Sequence, residues 1–158
     1  MSGVAPGDAD FPASGLRVAI VAARFNDVVV SALLQGAIST WCKRGGAEHE
    51  LLIVRVPGAF ELPLVARRLA ATGRYEALVA LGCVIRGDTP HFEYVAGECA
   101  RGLQQTSSDT GVPIAFGVLT LDNIEQARAR AGADSANKGA QAMDSALEMA
   151  HLMARLPR

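Results

Sequence analysis

The fold is decided by residues 78–91, where an apolar run leads into a glycine-containing loop. The run is Leu78-Val79-Ala80-Leu81-Gly82-Cys83-Val84-Ile85, and the loop is Arg86-Gly87-Asp88-Thr89-Pro90-His91. An apolar run of this length is typical of a strand buried on both faces, as in the middle of a parallel sheet. Gly87 allows a sharp turn, Thr89 is suited to cap a helix, and Pro90 is suited to its first position. The stretch therefore predicts a central strand, a tight turn and the start of a helix.

The loop after this strand has the chemistry of an anion site. A helix start presents free backbone N–H groups and the positive end of the helix dipole. His91, in the first turn, feels the same dipole, which disfavours its cationic form. A neutral imidazole at this position suits a general base or a proton shuttle. The alternative interpretation is a capped helix that carries a surface histidine.

The rest of the chain alternates between strand and helix patterns. Strands are predicted at residues 16–23, 51–56 and 112–119, with helical stripes between them and two helices at the end, from about residue 122 and about residue 135. Pro113 near the start of the last strand indicates an edge position. Crossover connections of this length favour a parallel sheet with helices on both faces. We therefore expect a three-layer α/β/α domain with a four-stranded parallel sheet.

Composition narrows the class of protein. The chain has 158 residues, half of them apolar, and a formal net charge of −1, so bulk charge favours neither a nucleic-acid nor a membrane partner. Its three cysteines have no metal-ligand spacing, and their odd number argues against a disulfide framework. Residues 1–15 are expected to form a flexible tail without signal-peptide features, and residues 16–158 a single domain. A soluble, cytoplasmic protein is the expectation.

Turns at the carboxyl ends of the strands hold the candidate site, because ligands bind there in such sheets. The turns are Arg24-Phe25-Asn26, Gly58-Ala59-Phe60-Glu61 and residues 85–91, with Phe116-Gly117 as a further candidate. Together they supply aromatic rings, a carboxylate, an imidazole and the anion-ready loop. This set suits a flat polar ring that bears hydroxyls, next to a phosphate.

Each of these residues also has an ordinary structural interpretation. Phe25 and Phe60 could pack back under the neighbouring helices, and Glu61 could be placed only to favour the first turn of a helix. Arg130 and Lys138 flank a later turn; either could reach a phosphate or remain a surface charge. His49 and His151 are weaker candidates. The chain has neither a Walker loop nor a GxGxxG motif, so a nucleotide cofactor is unsupported.

Ordered motifs from about residue 16 to the C-terminus resemble one family. They are Arg24-Phe25-Asn26, Val56-Pro57-Gly58-Ala59-Phe60-Glu61-Leu62-Pro63, Gly82-Cys83-Val84-Ile85-Arg86-Gly87-Asp88-Thr89-Pro90-His91-Phe92, Pro113-Ile114-Ala115-Phe116-Gly117-Val118-Leu119-Thr120, Glu125-Gln126-Ala127, Arg130-Ala131-Gly132 and Asn137-Lys138-Gly139. In order and spacing they resemble 6,7-dimethyl-8-ribityllumazine synthase. The resemblance implies a flavodoxin-like fold and the penultimate step of riboflavin synthesis. That step condenses 5-amino-6-(ribitylamino)uracil with 3,4-dihydroxy-2-butanone 4-phosphate, releasing phosphate and water, with no metal and no organic cofactor.

The resemblance also implies a role for each site residue. Phe25 would stack on the pyrimidine ring, and backbone groups around Val84 and Ile85 would meet the uracil edge. The ribityl chain would be held by Ala59, Phe60 and Glu61. Backbone N–H groups of Asp88 and Thr89 would bind the phosphate, and His91 would move protons. An adjacent subunit would supply Phe116, Arg130 and Lys138, with Arg130 gripping the phosphate as a two-pronged donor.

The implied partners are small-molecule substrates and further copies of the chain. A homopentamer is expected, with riboflavin synthase as a further candidate partner. Residues 132–137 differ from the linker of the icosahedral members, so the sequence leaves a pentamer and larger assemblies open. Two rival functions are a non-catalytic flavin- or lumazine-binding protein and a shell or storage protein. The presence of His91 and Arg130 speaks against the first, because binding alone needs no proton shuttle.

Overall fold

The computed structural model describes residues 10–133 and 136–158, and it confirms the predicted three-layer, flavodoxin-like architecture. The strands are β1 (Val18–Ala23), β2 (Leu52–Val56), β3 (Ala77–Ile85) and β4 (Ile114–Leu121). The helices are α1 (Asp27–Lys43), α2 (Leu62–Ala70), α3 (His91–Thr110), α4 (Ile124–Arg130) and α5 (Lys138–Arg155). Short 3-10 turns occupy Glu48–Glu50 and Ala59–Glu61. All strand pairs are parallel, in the order β2-β1-β3-β4.

The two middle strands explain why the sequence folds in this way. Every residue of β1 is buried, and so is every residue of β3 except Ile85 at its end. One face of the sheet packs on α1 and α5 through large apolar side chains such as Leu33, Trp41 and Met143. The other face packs on α2 and α3 through residues such as Leu62 and Leu103. Apolar side chains on both faces of a strand require a layer of helices on each side, and this produces the sandwich.

The joint between α1 and α5 is closely packed. Asn137 is almost fully buried; its Nδ2 donates to the carbonyl oxygens of Gly132 at 2.8 Å and Ala32 at 3.2 Å. Its Oδ1 accepts from the N–H of Ala140, which caps α5. A Cβ atom added to Gly36 would collide with the Asn137 amide. The start of α5 is therefore fixed directly against α1.

Element boundaries differ from the predictions in places that affect the site. Strand β4 runs to Leu121, which is two residues beyond the predicted end, and Phe116 lies within it opposite Ala80. Helix α3 starts at His91, so Pro90 precedes the helix and Thr89 is not its cap. Gly87 does not adopt a positive φ, so the turn does not depend on the freedom of glycine there. The edge position of β4 is confirmed.

The structure also differs from the predictions near the two ends of the chain. Its helical spacing with Met143, Leu147 and Ala150 predicts that Ala154 lies on the apolar stripe of α5, but Ala154 is exposed because the buried stripe ends at Ala150. Part of the predicted tail packs on the domain. Ala13 is buried, its N–H donates to the Arg44 carbonyl at 3.0 Å, and the His151 ring lies 2.8 Å from the Pro12 carbonyl. Residues 1–9 lie outside the described residues.

No helix in the described part of the chain is long and apolar enough to cross a bilayer.

Candidate active site

A cleft of about 700 Å³ lies at the carboxyl ends of β1, β2 and β3. Its wall includes the predicted residues Phe25, Ala59, Phe60, Glu61, Val84, Ile85, Thr89 and His91. We call it the aromatic cleft. The size and the mostly apolar wall match those of a small-molecule site. The predicted convergence of the first three turns is therefore confirmed in the structure.

The two phenylalanines of the aromatic cleft are exposed. Phe25 is 72% and Phe60 59% accessible to solvent, so neither ring packs under a neighbouring helix. The backbone around Phe25 is held by the turn after β2, since the N–H groups of Arg24 and Phe25 donate to the carbonyls of Val56 and Pro57. Exposing two aromatic rings is unfavourable unless something covers them. The rings are therefore candidates to contact a planar ligand.

Glu61 combines both interpretations offered for it. Its Oε2 accepts from the N–H of Gly58 at 3.0 Å, which fixes the turn between β2 and α2. The residue also lines the aromatic cleft beside the buried Ala59. Within the described residues, Oε1 has no hydrogen-bond partner, so one carboxylate oxygen remains available to a ligand hydroxyl. Its role toward a ribityl chain stays a prediction.

The end of β3 places the imidazole and the anion-ready loop. Val84 is buried and Ile85 half-buried, and both line the cleft just before the chain leaves the sheet. The N–H of His91 points to the Thr89 hydroxyl at 3.4 Å, a long hydrogen bond. Asp88 lies in the same loop and is exposed, but it is not part of the cleft wall. The loop therefore brings His91 and Thr89 to the cleft and leaves the Asp88 side chain outside it.

Arg86 is a residue that the sequence interpretation missed. Its guanidinium donates to Asp122 and to Glu93, each at 3.0 Å, and lies 4.5 Å from the centre of the Phe92 ring. The hydrogen bond to Asp122 and, to a smaller extent, the hydrogen bond to Glu93 raise the pKa of Arg86. Arg86 thus joins the loop after β3 to α3 and to the end of β4. A basic residue directly after a buried strand was the available signal, but its partners are distant in sequence.

Helix α3 contributes further wall residues that were not predicted. Phe92, Tyr94 and Val95 line the aromatic cleft from the first turns of the helix. Phe92 and Val95 are only half-buried although they are apolar and three residues apart. That spacing puts them on one helix face, and it was the signal that could have identified them.

A second cleft, of about 340 Å³, lies at the outer edge of β4 against α4 and α5. We call it the basic cleft, because Arg130 and Lys138 line it together with Phe116, Gln141 and Ser145. Arg130 donates to the Gln126 carbonyl, and Lys138 Nζ donates to Gln141 Oε1, both at 3.0 Å. The prediction that Phe116-Gly117 joins the carboxyl-end turns is wrong, because Phe116 lies in the interior of β4 at the sheet edge. The two clefts share no wall residue.

Two of the described cysteines, Cys83 and Cys99, are buried. Burial raises the pKa of the Cys83 thiol, which lines the aromatic cleft, to about 11, and that of Cys99 to about 11 as well. Neither is a thiolate nucleophile at neutral pH. No group of three or more possible metal ligands occurs among residues 10–133 and 136–158.

Comparison with protein-family models identifies the relatives of this chain. The model of 6,7-dimethyl-8-ribityllumazine synthase matches residues 15–154. The matched region includes both clefts and all the candidate site residues. That family consists of transferase-type enzymes that make lumazine in riboflavin biosynthesis. The chain belongs to the 6,7-dimethyl-8-ribityllumazine synthase family.

Proposed function

We propose that this protein condenses 5-amino-6-(D-ribitylamino)uracil with 3,4-dihydroxy-2-butanone 4-phosphate to give 6,7-dimethyl-8-ribityllumazine. The observation that carries the proposal is the aromatic cleft, in which two exposed phenylalanines and His91 meet within the region matched by the family. An apolar wall with exposed rings suits a planar uracil better than it suits a small, highly polar ligand.

The ribitylaminouracil would occupy the aromatic cleft. Its ring stacks on Phe25, and its edge pairs with backbone groups around Val84 and Ile85, where β3 leaves the sheet. The ribityl chain extends along Ala59 and Phe60, and its hydroxyls donate to the available oxygen of Glu61. The ring therefore gains apolar and stacking contacts, while the hydroxyls gain a charged acceptor.

The butanone phosphate would bind at the start of α3. Backbone N–H groups of Asp88 and Thr89 point to the phosphate, and the helix dipole favours its negative charge. The guanidinium of Arg130 from a neighbouring chain completes the phosphate site as a two-pronged donor. Only this substrate carries a phosphate, so these contacts distinguish it from the uracil.

The chemistry needs proton transfer more than it needs a cofactor. The 5-amino nitrogen forms a bond to the ketone carbon, and the carbonyl oxygen leaves as water after it has accepted protons. Loss of a proton from the carbon next to the imine expels phosphate, which leaves with its C–O bond electrons, and the enol that forms becomes a ketone. The ribityl-bearing nitrogen then attacks this ketone, and ring closure releases a second water. His91, exposed at the helix start, accepts a proton from the amine and returns protons to the leaving oxygen. No oxidant and no metal is required for this balance.

The neighbouring chain would supply Phe116, Arg130 and Lys138 in a cyclic, head-to-tail homopentamer. Such an arrangement repeats one contact at every interface, so every aromatic cleft meets one basic cleft. A larger assembly and an association with riboflavin synthase are compatible with this arrangement. A cytoplasmic location is part of the proposal.

The test is to incubate purified protein with both substrates and to follow the lumazine chromophore and the released phosphate. We expect one phosphate per lumazine, no product when either substrate is omitted, and no loss of rate in the presence of a chelator. Binding of lumazine without any turnover would support the rival binding protein instead. The native mass of the particle tests the pentamer and separates it from a closed shell.

A further inference from the structure

The turn between β1 and α1 contains an unusual backbone conformation. Asn26 has φ 59° and ψ 47°, the left-handed region, and it is the one non-glycine residue with positive φ among the described residues. L-residues are disfavoured in this region, and asparagine tolerates it better than most. Such residues cluster at functional sites when the surrounding structure enforces them.

The side chain of Asn26 does not do what its position predicts. The sequence at the start of α1 predicts that either Asn26 or Asp27 caps the helix, but the Asn26 side chain makes no cap hydrogen bond. Instead, Nδ2 donates to the Cys83 carbonyl at 2.8 Å. The ladder between β1 and β3 ends at the pair of Ala22 and Leu81, so Cys83 lies beyond the last residue of β3 that pairs with β1, although it still pairs with Leu119 of β4. The Asn26 amide thus links the turn after β1 to β3 at a point where the backbones of β1 and β3 no longer pair.

Strand β2 holds the same turn from the other side. The Arg55 guanidinium donates to the carbonyls of Ala22 and Ala23 at 3.3 and 3.1 Å, and it pairs with Asp27 at 2.8 Å. The hydrogen bond from Arg55 and, to a smaller extent, the hydrogen bond from Ser31 lower the pKa of Asp27. Arg55 and Asp27 are therefore both ionised at neutral pH. The backbone on both sides of Phe25 is therefore fixed to β2 and β3, while the ring itself is exposed.

We propose that Asn26 is a positioning residue, which holds Phe25 as a rigid stacking platform through its hydrogen bond to Cys83. The inference rests on the proposed function, in that Phe25 is taken to stack on the uracil ring. An exposed ring has few packing contacts to define its direction, so its backbone must define it. A platform that is already in place avoids the entropy cost of ordering it when the ligand binds.

Two substitutions remove the hydrogen bond in different ways. Asn26→Gly keeps the left-handed backbone and removes the donor. Asn26→Asp keeps the size of the side chain and turns an acceptor toward the Cys83 carbonyl. We expect each to raise the KM for ribitylaminouracil about tenfold, with kcat and the KM for the butanone phosphate within about twofold of wild type. Ser31→Ala is the matched control, because it removes a hydrogen bond to Asp27 in the same turn without touching the Asn26 link.

A double-mutant cycle with Phe25→Ala tests whether Asn26 acts through the ring. In the Phe25→Ala background, Asn26→Gly should have no further effect on the KM for the uracil. Additive effects, or a wild-type KM in both single variants, would overturn the proposal. Failure of both variants to fold, judged by circular dichroism, would overturn it as well, because Asn26 would then serve global stability.

Binding of the lumazine product, measured by its own fluorescence, is the second readout. If the wild-type protein binds lumazine but makes none, the reaction is wrong, while weaker binding by Asn26→Gly still supports the platform.

Discussion

The aromatic cleft and the basic cleft are built from different parts of the fold. The first is made of turns at the carboxyl ends of three strands, and its wall carries exposed rings and one imidazole. The second is made of the regular backbone of an edge strand and of the start of α5, and its wall carries Arg130 and Lys138. One cleft thus suits a ring, and the other suits an anion.

The difference explains why one chain alone is an incomplete site under the proposed function. The wall of the aromatic cleft includes the His91 imidazole, but no arginine or lysine among the described residues lines it. The wall of the basic cleft includes Arg130 and Lys138, and no histidine, aspartate or glutamate among the described residues lines it. Under the proposed function each cleft therefore needs the other. The basic cleft lies at the edge strand β4 and shares no wall residue with the aromatic cleft among the described residues.

His91→Ala should damage the chemistry of the aromatic cleft and leave its binding intact. We expect kcat to fall about 10- to 100-fold, at the low end for the loss of an acid–base group. The loss is limited because amines condense with ketones, although slowly, even without a catalyst. The exposed side chain contributes little packing, so the melting temperature should change little. Steady-state kinetics from about pH 6 to about pH 8 provide the measurement. Wild-type rates across this range would remove His91 from the mechanism.

Mixed assemblies test whether the two clefts meet between chains. Chains with Arg130→Ala and chains with His91→Ala are unfolded together, refolded at equal amounts and assayed. If each site combines two chains, random mixing gives about a quarter of the sites an intact His91 and an intact Arg130. Activity should then rise well above the mean of the separate mutants.

Native mass spectrometry is the control for this experiment, because it shows whether mixed assemblies formed. Activity equal to the mean of the two mutants, in assemblies that are demonstrably mixed, would assign the whole site to one chain. The proposed role of Arg130 in the neighbouring site would then be wrong.

Arg130→Lys should affect one substrate only. A lysine keeps the charge but loses the two-pronged donor, so we expect the KM for the butanone phosphate to rise about tenfold. The KM for ribitylaminouracil should stay near its wild-type value. Separate titrations of the two substrates give the answer, and equal weakening of both would indicate a defect in folding or assembly.

Arg86→Gln should have the smallest effect, since the ion pairs it breaks are exposed. We expect about a threefold rise in the KM for the butanone phosphate, because the loop that carries Thr89 and His91 loses its link to Asp122 and Glu93. Added salt screens these ion pairs, so the wild-type KM for the butanone phosphate should rise toward that of the variant. A variant that matches wild type at low salt would show that the loop holds its shape without Arg86.

The sequence was informative where local pattern and tertiary position agree. The run from Leu78 to Ile85 predicted a buried strand, and Pro113 predicted an edge, because burial and the lost N–H act at the residue itself. The position of His91 was predicted for the same reason, since a helix that starts directly after that strand begins at the carboxyl edge of the sheet.

Prediction failed where a residue's role depends on a distant partner. Either Asn26 or Asp27 was expected to cap α1, but the Asn26 side chain makes no cap hydrogen bond, and its Nδ2 donates to the Cys83 carbonyl of another strand. Phe116 was grouped with the carboxyl-end turns although it lies within the predicted strand, and in the structure β4 continues past it to Leu121. The Arg86 contacts join residues up to 36 positions apart. A residue's own neighbours in the chain do not specify such partners.

The contact between Gly36 and Asn137 constrains the order in which this sequence can change over evolution. Any side chain at position 36 meets the buried Asn137 amide, and that amide also holds the loop after α4 and the start of α5. A larger residue at position 36 is therefore tolerated only after position 137 has become smaller, and that first step costs the cap of α5. Substitutions at these two positions are epistatic, and the path between them passes through a weakened intermediate.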